Sequence, residues 1–308
     1  MPLPFADLAK ILGYSDVPQP IEKAPPIIQT SSQPSRSSDK ANEDKMSTFL
    51  ENRVFPLLVK AGYIESFRRG EAEEDKSGAD FVFIYKDGTT ANVDVKTRWS
   101  KMNEPDNKYV PCEYITNNRN GEEIEGWMVD MDPGSTSENK KNTDIIYSII
   151  PTRVDAETPE EATVDDIKEI RSYMTPVKSF IQHISDTTGK TPKEMHELAH
   201  QAKQHTLETG NKKYKEGLNS LNAQFITSPQ LRECPTNLLI HENEFLKSGA
   251  IMVNYEKNSL LVYTQKPRHE ALKFNKEPRK ESPVAQLKKN NSASYFSSGA
   301  PQKDDLTK

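Results

Sequence analysis

Nothing in the sequence restricts the fold more than Gly78 to Arg98, GADFVFIYKDGTTANVDVKTR, where two runs of strand-forming residues flank Asp87-Gly88, a dipeptide suited to a hairpin turn. Side chains alternate along a strand, so Asp94 and Lys96 share one side, roughly 6 to 7 Å apart. Val93 and Val95 point the other way. The position of Asp80 then depends on the turn. An ideal two-residue loop pairs Lys86 with Thr89 and Asp80 with Val95, which separates Asp80 and Asp94 onto opposite faces. A three-residue loop, Asp87 to Thr89, or one bulge moves the register by one and sets Asp80 opposite Lys96, on the face of Asp94. An odd loop or a bulge is therefore the expectation.

Upstream, MSTFLENRVFPLLVKAGY carries Val54, Phe55, Leu58 and Ala61 at helical spacing, with Gly62 as the stop. Glu51 lies three, four and seven positions before Val54, Phe55 and Leu58, which predicts that it faces inward with them. YIESFRR reads as a strand before the hairpin, and DIIYSII, 144–150, as one after a long polar excursion. Thr158-Pro159-Glu160-Glu161 and Thr191-Pro192-Lys193-Glu194 both read as capped helix starts, predicting helices over much of 159–222. AIMVNYEKNSLLVYT, 250–264, reads as a second hairpin turning at Glu256 to Asn258. The fold class is α/β.

If the first helix packs on the hairpin, Glu51, Asp80 and Asp94 converge beside Lys96. Carboxylates that close repel one another unless a divalent cation offsets their charge. Oxygen ligands with an open coordination sphere suit Mg²⁺ or Mn²⁺, and Lys96 would orient or activate a water, or stabilise charge on phosphorus. Glu51 in a helix, GAD at 78–80 and DVK at 94–96, with thirteen residues between the two aspartates, resembles the PD-(D/E)XK superfamily of restriction-endonuclease-like nucleases. The resemblance covers roughly 45 to 150 and implies a core of a helix, three antiparallel strands, a further helix and a strand. It implies that Asp80, Asp94 and the Val95 carbonyl hold the metal, that Lys96 is catalytic, that Glu51 is the helix acid, and that the substrate is DNA. Ala79 stands where the family motif has Pro, and no obvious crossover helix follows Asp94.

The excursion, with Glu113 and Trp127, reads as surface decoration in which Trp127 covers the core. In KTRWSK, the indole of Trp99 between Arg98 and Lys101 is either a ring that stacks on a base while the cations meet phosphates, or a half-buried tryptophan at a strand end. HELAH, His196 to His200, matches the two-histidine zinc helix of metallopeptidases. Its apolar stripe, Met195, Leu198, Ala199 and Ala202, leaves both histidines toward solvent, so the zinc peptidase stays behind the nuclease. The third reading is a nuclease fold that binds nucleic acid, or acts as a scaffold, without cutting.

Composition bounds the rest. The 308 residues carry a net charge of −5, which argues against general polyanion binding and restricts any nucleic-acid contact to a local surface. The two cysteines, Cys112 and Cys234, lack CxxC spacing, and no Gly-rich phosphate loop occurs among 13 glycines. No apolar run reaches membrane-spanning length and the N-terminus lacks signal-peptide character, so a cytoplasmic location is expected. Residues 1–44 read as a disordered segment, 45–155 as the nuclease-like core, 156–264 as a helical and hairpin extension, and 265–308 as a disordered tail. Within that tail 266–289 carries eight Lys or Arg against three Glu.

Overall fold

The structure, a computed structural model, describes residues 39–118, 120–135 and 140–263. The expected disordered tail at 265–308 lies outside the described residues. So does the expected N-terminal segment, apart from Asp39 to Asp44, which are helical. The entry helix runs as α1 (Asp39–Phe49), a π-helical turn (Leu50–Val54) and α2 (Phe55–Lys60), and Gly62 at φ +76° ends it.

Three strands follow: β1 (Ser66–Arg69), β2 (Phe81–Ile84) and β3 (Thr90–Thr97), with the short α3 (Ala72–Lys76) between the first two. The excursion folds into β4 (Tyr109–Asn117), β5 (Glu123–Glu125) and α4 (Trp127–Asp130). Next come β6 (Ile145–Val154), β7 (Ile167–Pro176), α5 (Val177–Thr188) and α6 (Pro192–Thr209). The described chain closes with β8 (Lys213–Tyr214), β9 (Ala223–Thr227), β10 (Thr236–His241), α7 (Glu242–Lys247), β11 (Ile251–Glu256) and β12 (Ser259–Tyr263).

These strands form a mixed seven-stranded sheet, β1-β2-β3-β6-β7-β11-β12, and a five-stranded sheet, β5-β4-β10-β9-β8. In the larger sheet β3 and β6 are parallel and their neighbours antiparallel. The class is α/β, as expected. The connection from β3 to β6 differs from the expected crossover helix: it passes through β4 and β5, which pair in the smaller sheet, and its helix α4 has four residues. The boundary at 155 falls in the connection between β6 and β7, two neighbours of one sheet, which β7, β11 and β12 extend from β1 to β3. In place of the expected helix, 159–161 form a turn and Val164–Asp166 a single 3-10 turn, and β7 follows. Thr191 does cap α6 as expected, its hydroxyl accepting from Glu194 N–H while Glu194 reaches back to the cap.

One face of the large sheet buries the entry helix. Phe55 is at its centre, edge-on to Phe67, Phe81 and Phe83 at 5.1, 4.9 and 5.1 Å between ring centroids. Ala91, Val93 and Val95 of β3 point into this layer. The opposite face, carrying Ile146, Ile150 and Tyr173, packs with α5, α6 and the smaller sheet. Asn92, Asp94 and Lys96 therefore lie on that second face by strand alternation. Removing a fully buried aromatic ring costs about 3–5 kcal/mol. Phe55→Ala is expected to lower the thermal midpoint by on the order of 10 °C in calorimetry, whereas an equal truncation at exposed Ile124 should leave it within ~1–2 °C.

Candidate active site

The hairpin resolves the parity condition. β2 and β3 pair Phe81 with Val93, Val82 with Asn92 and Ile84 with Thr90. Tyr85 N–H donates to Thr89 O at 2.9 Å across a loop of Lys86, Asp87 and Gly88. The loop is odd, as expected, but begins one residue earlier than Asp87. Asp80 consequently stands across from Asp94 instead of Lys96, and the two acids share a face.

Local chemistry holds Asp80 there. Asp80 O accepts from Gly70 N–H at 2.8 Å, and Gly78, at φ +84°, leads into the strand. A Cβ at Gly78 would come within 2.6 Å of Thr143 Oγ1, whose hydroxyl donates to Gly78 O. Because β2 begins at Phe81 while β3 continues to Thr97, the backbone N–H of Val95 lies past the β2–β3 ladder. Asp80 Oδ2 accepts from it at 2.5 Å. Val95 thus joins the group through its amide, while its side chain packs into the first core layer.

Asp94 is 3 % exposed, in mid-strand between β2 and β6. Lys96 Nζ stands 2.8 Å from Asp94 Oδ2 and 5.8 Å from the centre of the Trp127 ring. Trp127 packs partly buried against the second core layer, so the expected cover is present and it reaches Lys96. Burial pushes the Asp80 carboxyl up, with the charge of Asp94 next in weight, to about 7; Lys96 and the Val95 amide pull the other way, and a hydrogen bond with Asp75 adds to the rise. Burial acts to lower the Lys96 ammonium, but Asp94 and Asp80 outweigh it, with Glu43 assisting, and hold it above its ordinary value. Lys96 is therefore a charged group at neutral pH.

The other expected residues fall elsewhere. Glu51 binds Arg69 at 2.7 Å, and the Arg69 guanidinium also feels the charge of Asp80, so Glu51 reaches the aspartates only through that cation. Trp99 is 7 % exposed in the first core layer, its indole N–H donating to Asn42 O at 3.1 Å, so its ring packs the core and is not offered to a base. Arg98 donates to Asn107 Oδ1 at 2.8 Å and to Tyr109 O, and Lys101 pairs with Glu104 at 2.9 Å. Asp75 and Glu43 were not anticipated. Asp75 sits in the acidic run EAEED, which reads as solvated surface, and Glu43 precedes the expected start of the helix.

In HELAH the apolar stripe is buried as expected. The histidines lie against β5: His200 Nδ1 is 3.0 Å from Glu123 Oε1, and Lys203, itself buried, meets Glu123 Oε2 at 2.7 Å. Burial, then His200, lowers the pKa of His196. Among the described residues no group of three or more His, Cys, Asp or Glu is placed to hold a metal ion. Asp80 and Asp94 are a two-carboxylate set. Such a set fits Mg²⁺, which commonly takes one or two carboxylates and completes its shell with waters and phosphate oxygens. The fit rests on two opposed acids, one with its pKa raised by burial and then by the other, and on Asp94 Oδ2, which is buried with the Lys96 ammonium as its one partner among the described residues.

The folded state holds the Asp80 proton more tightly than the unfolded chain does. That stabilisation is complete below about pH 4, near the unfolded carboxyl value, and is lost as pH rises through about 7. The thermal midpoint of metal-free protein is therefore expected to fall between about pH 5 and pH 8, and Asp80→Asn should flatten that slope in a pH series of melting curves. Compared with family models, curated proteins and solved structures, the chain gives no match.

Proposed function

We propose that this chain is a cytoplasmic metal-dependent nuclease, hydrolysing phosphodiester bonds with water as nucleophile on a restriction-endonuclease-like core. The observation that carries the reading is Asp80 opposed to Asp94, with Lys96 on Asp94 and all three on one sheet face. The chain order supports it: an entry helix, three antiparallel strands, then β6 parallel to β3. DNA is the substrate that the motif resemblance favours. No helix of the described residues is long and apolar enough to cross a membrane.

Asp80 and Asp94 would hold Mg²⁺ or Mn²⁺, with the Val95 carbonyl as the third donor that the resemblance suggests. When bound, such an ion polarises a phosphate oxygen and makes its bound water more acidic. Lys96 contributes a fixed positive charge. With its pKa held above the ordinary value it stays protonated, which suits stabilising charge that develops on phosphorus better than removing a proton from water. Asp94 aims that ammonium, and the Trp127 ring stands 5.8 Å from it.

Plasmid and single-stranded DNA incubated with Mg²⁺ or Mn²⁺ test this directly. Wild-type protein is expected to cut, and Asp94→Asn and Lys96→Ala to lose activity by at least roughly a hundred-fold. Retained cutting in both variants rejects the site. DNA binding without cutting in either metal would leave the binding or scaffold reading.

A further inference from the structure

Among the described residues, one face of three adjoining strands carries two buried hydroxyls without a hydrogen-bond partner, Ser148 Oγ on β6 and Thr175 Oγ1 on β7, and the buried Asp94 Oδ2 on β3, whose one partner is the Lys96 ammonium. Ser148 and Thr175 are 1 % and 0 % exposed. The register sets Asp94 beside Ile146 and Ile146 beside Thr175, while Lys96 stands beside Ser148 and Ser148 beside Tyr173. Ile146 and Tyr173 face the second core layer, so the alternation sends the two hydroxyls and the Asp94 carboxylate to that side. Ser148 is thus the diagonal neighbour of both Asp94 and Thr175, with Cα separations of roughly 7–8 Å.

Burying a hydroxyl with no partner is unfavourable, and native proteins rarely leave such groups unsatisfied. Lys96 occupies only one side of Asp94 Oδ2, as an ion pair at 2.8 Å, and leaves the remaining lone pair without a donor. Two hydroxyls and a carboxylate oxygen supply the two to four polar contacts that hold a buried water. We infer that Ser148 and Thr175 hold a water against Asp94 Oδ2 and act as positioning residues for that carboxylate. The water itself follows from packing and hydrogen bonding alone; the positioning role rests on the nuclease reading given above. Oriented in this way, Asp94 keeps one oxygen toward the protein interior and is fixed relative to Asp80 and Lys96, which is how neighbours of a metal ligand tune its affinity.

Ser148→Ala and Thr175→Val each delete a hydroxyl with little change of shape. If the water is present, both variants lower the urea midpoint, and the double variant falls by less than the two single shifts together, since one water serves both. If the hydroxyls are simply unsatisfied, Thr175→Val leaves the midpoint unchanged or raises it, and the inference is overturned. Mn²⁺ affinity, read by electron paramagnetic resonance without substrate, is expected to weaken roughly ten-fold in each single variant. Unchanged affinity in both overturns the positioning role. Wild-type protein that binds no Mn²⁺ would sink the nuclease reading and the positioning role with it, while the urea midpoints decide the water independently.

Discussion

Strand alternation, fixed by a loop of three residues, is the constraint on which the candidate site depends. Lys86, Asp87 and Gly88 turn the chain so that Tyr85 faces Thr89, and every pair down the ladder follows from that choice. A loop one residue shorter or longer would reverse Asp80 relative to Asp94, and would also drive Phe81 and Phe83 out of the aromatic layer around Phe55. Core and site therefore select the same register. The aromatic face supplies much of the stabilisation, and the acidic face inherits its geometry from it.

That inheritance is electrostatically unfavourable by itself. Two carboxylates opposed on neighbouring strands, one of them in mid-sheet, are tolerated only with compensation. Three partial compensations are visible: the Val95 amide on Asp80, the Lys96 ammonium on Asp94, and a hydrogen bond between Asp75 and Asp80 that a proton would bridge. They leave the two acids and Lys96 with one negative charge in excess when both carboxylates are ionised. A site in this condition takes up either a proton or a cation near neutral pH, and the raised pKa of Asp80 expresses the first of these. The same competition would make metal affinity rise with pH.

Local signals were legible in the sequence where local physics decides. The Asp87-Gly88 turn, the Gly62 stop, the Thr191 cap and the 250–264 hairpin all appear, the last turning through Lys257 and Asn258 with φ of 49° and 60°. The second sheet was not legible. β4 pairs with β10 across more than a hundred residues of sequence, and no turn dipeptide announces that pairing. β7 was hidden for another reason. IKEIRSYMTP carries charges at spacings that a helix accepts, and only pairing with β6 on one side and β11 on the other makes it a strand. Trp99 keeps two readings in sequence, because a tryptophan between two cations looks the same whether its ring lies on the surface or, as here, beneath the entry helix.

The misplaced Glu51 has a geometric cause that the buried residues of the entry helix expose. Before the π-helical turn the inward stripe is Asn42, Met46, Phe49 and Leu50; after it, Val54, Phe55 and Leu58. Carrying the first stripe forward at 3.6 residues per turn leads to Arg53 and Leu57, and carrying the second backward leads to Glu51, Ser47 and Asp44. Neither extrapolation survives, because the wider turn at Leu50–Val54 admits one extra residue and shifts the phase. Glu51 lies in that turn, partly exposed, and pairs with Arg69, which stands between it and Asp80 in charge. The same shift lets α1 and α2 each bury an apolar face on one sheet. It also leaves Glu43, about two turns before the break, as the acid of the entry helix whose charge is felt at Lys96.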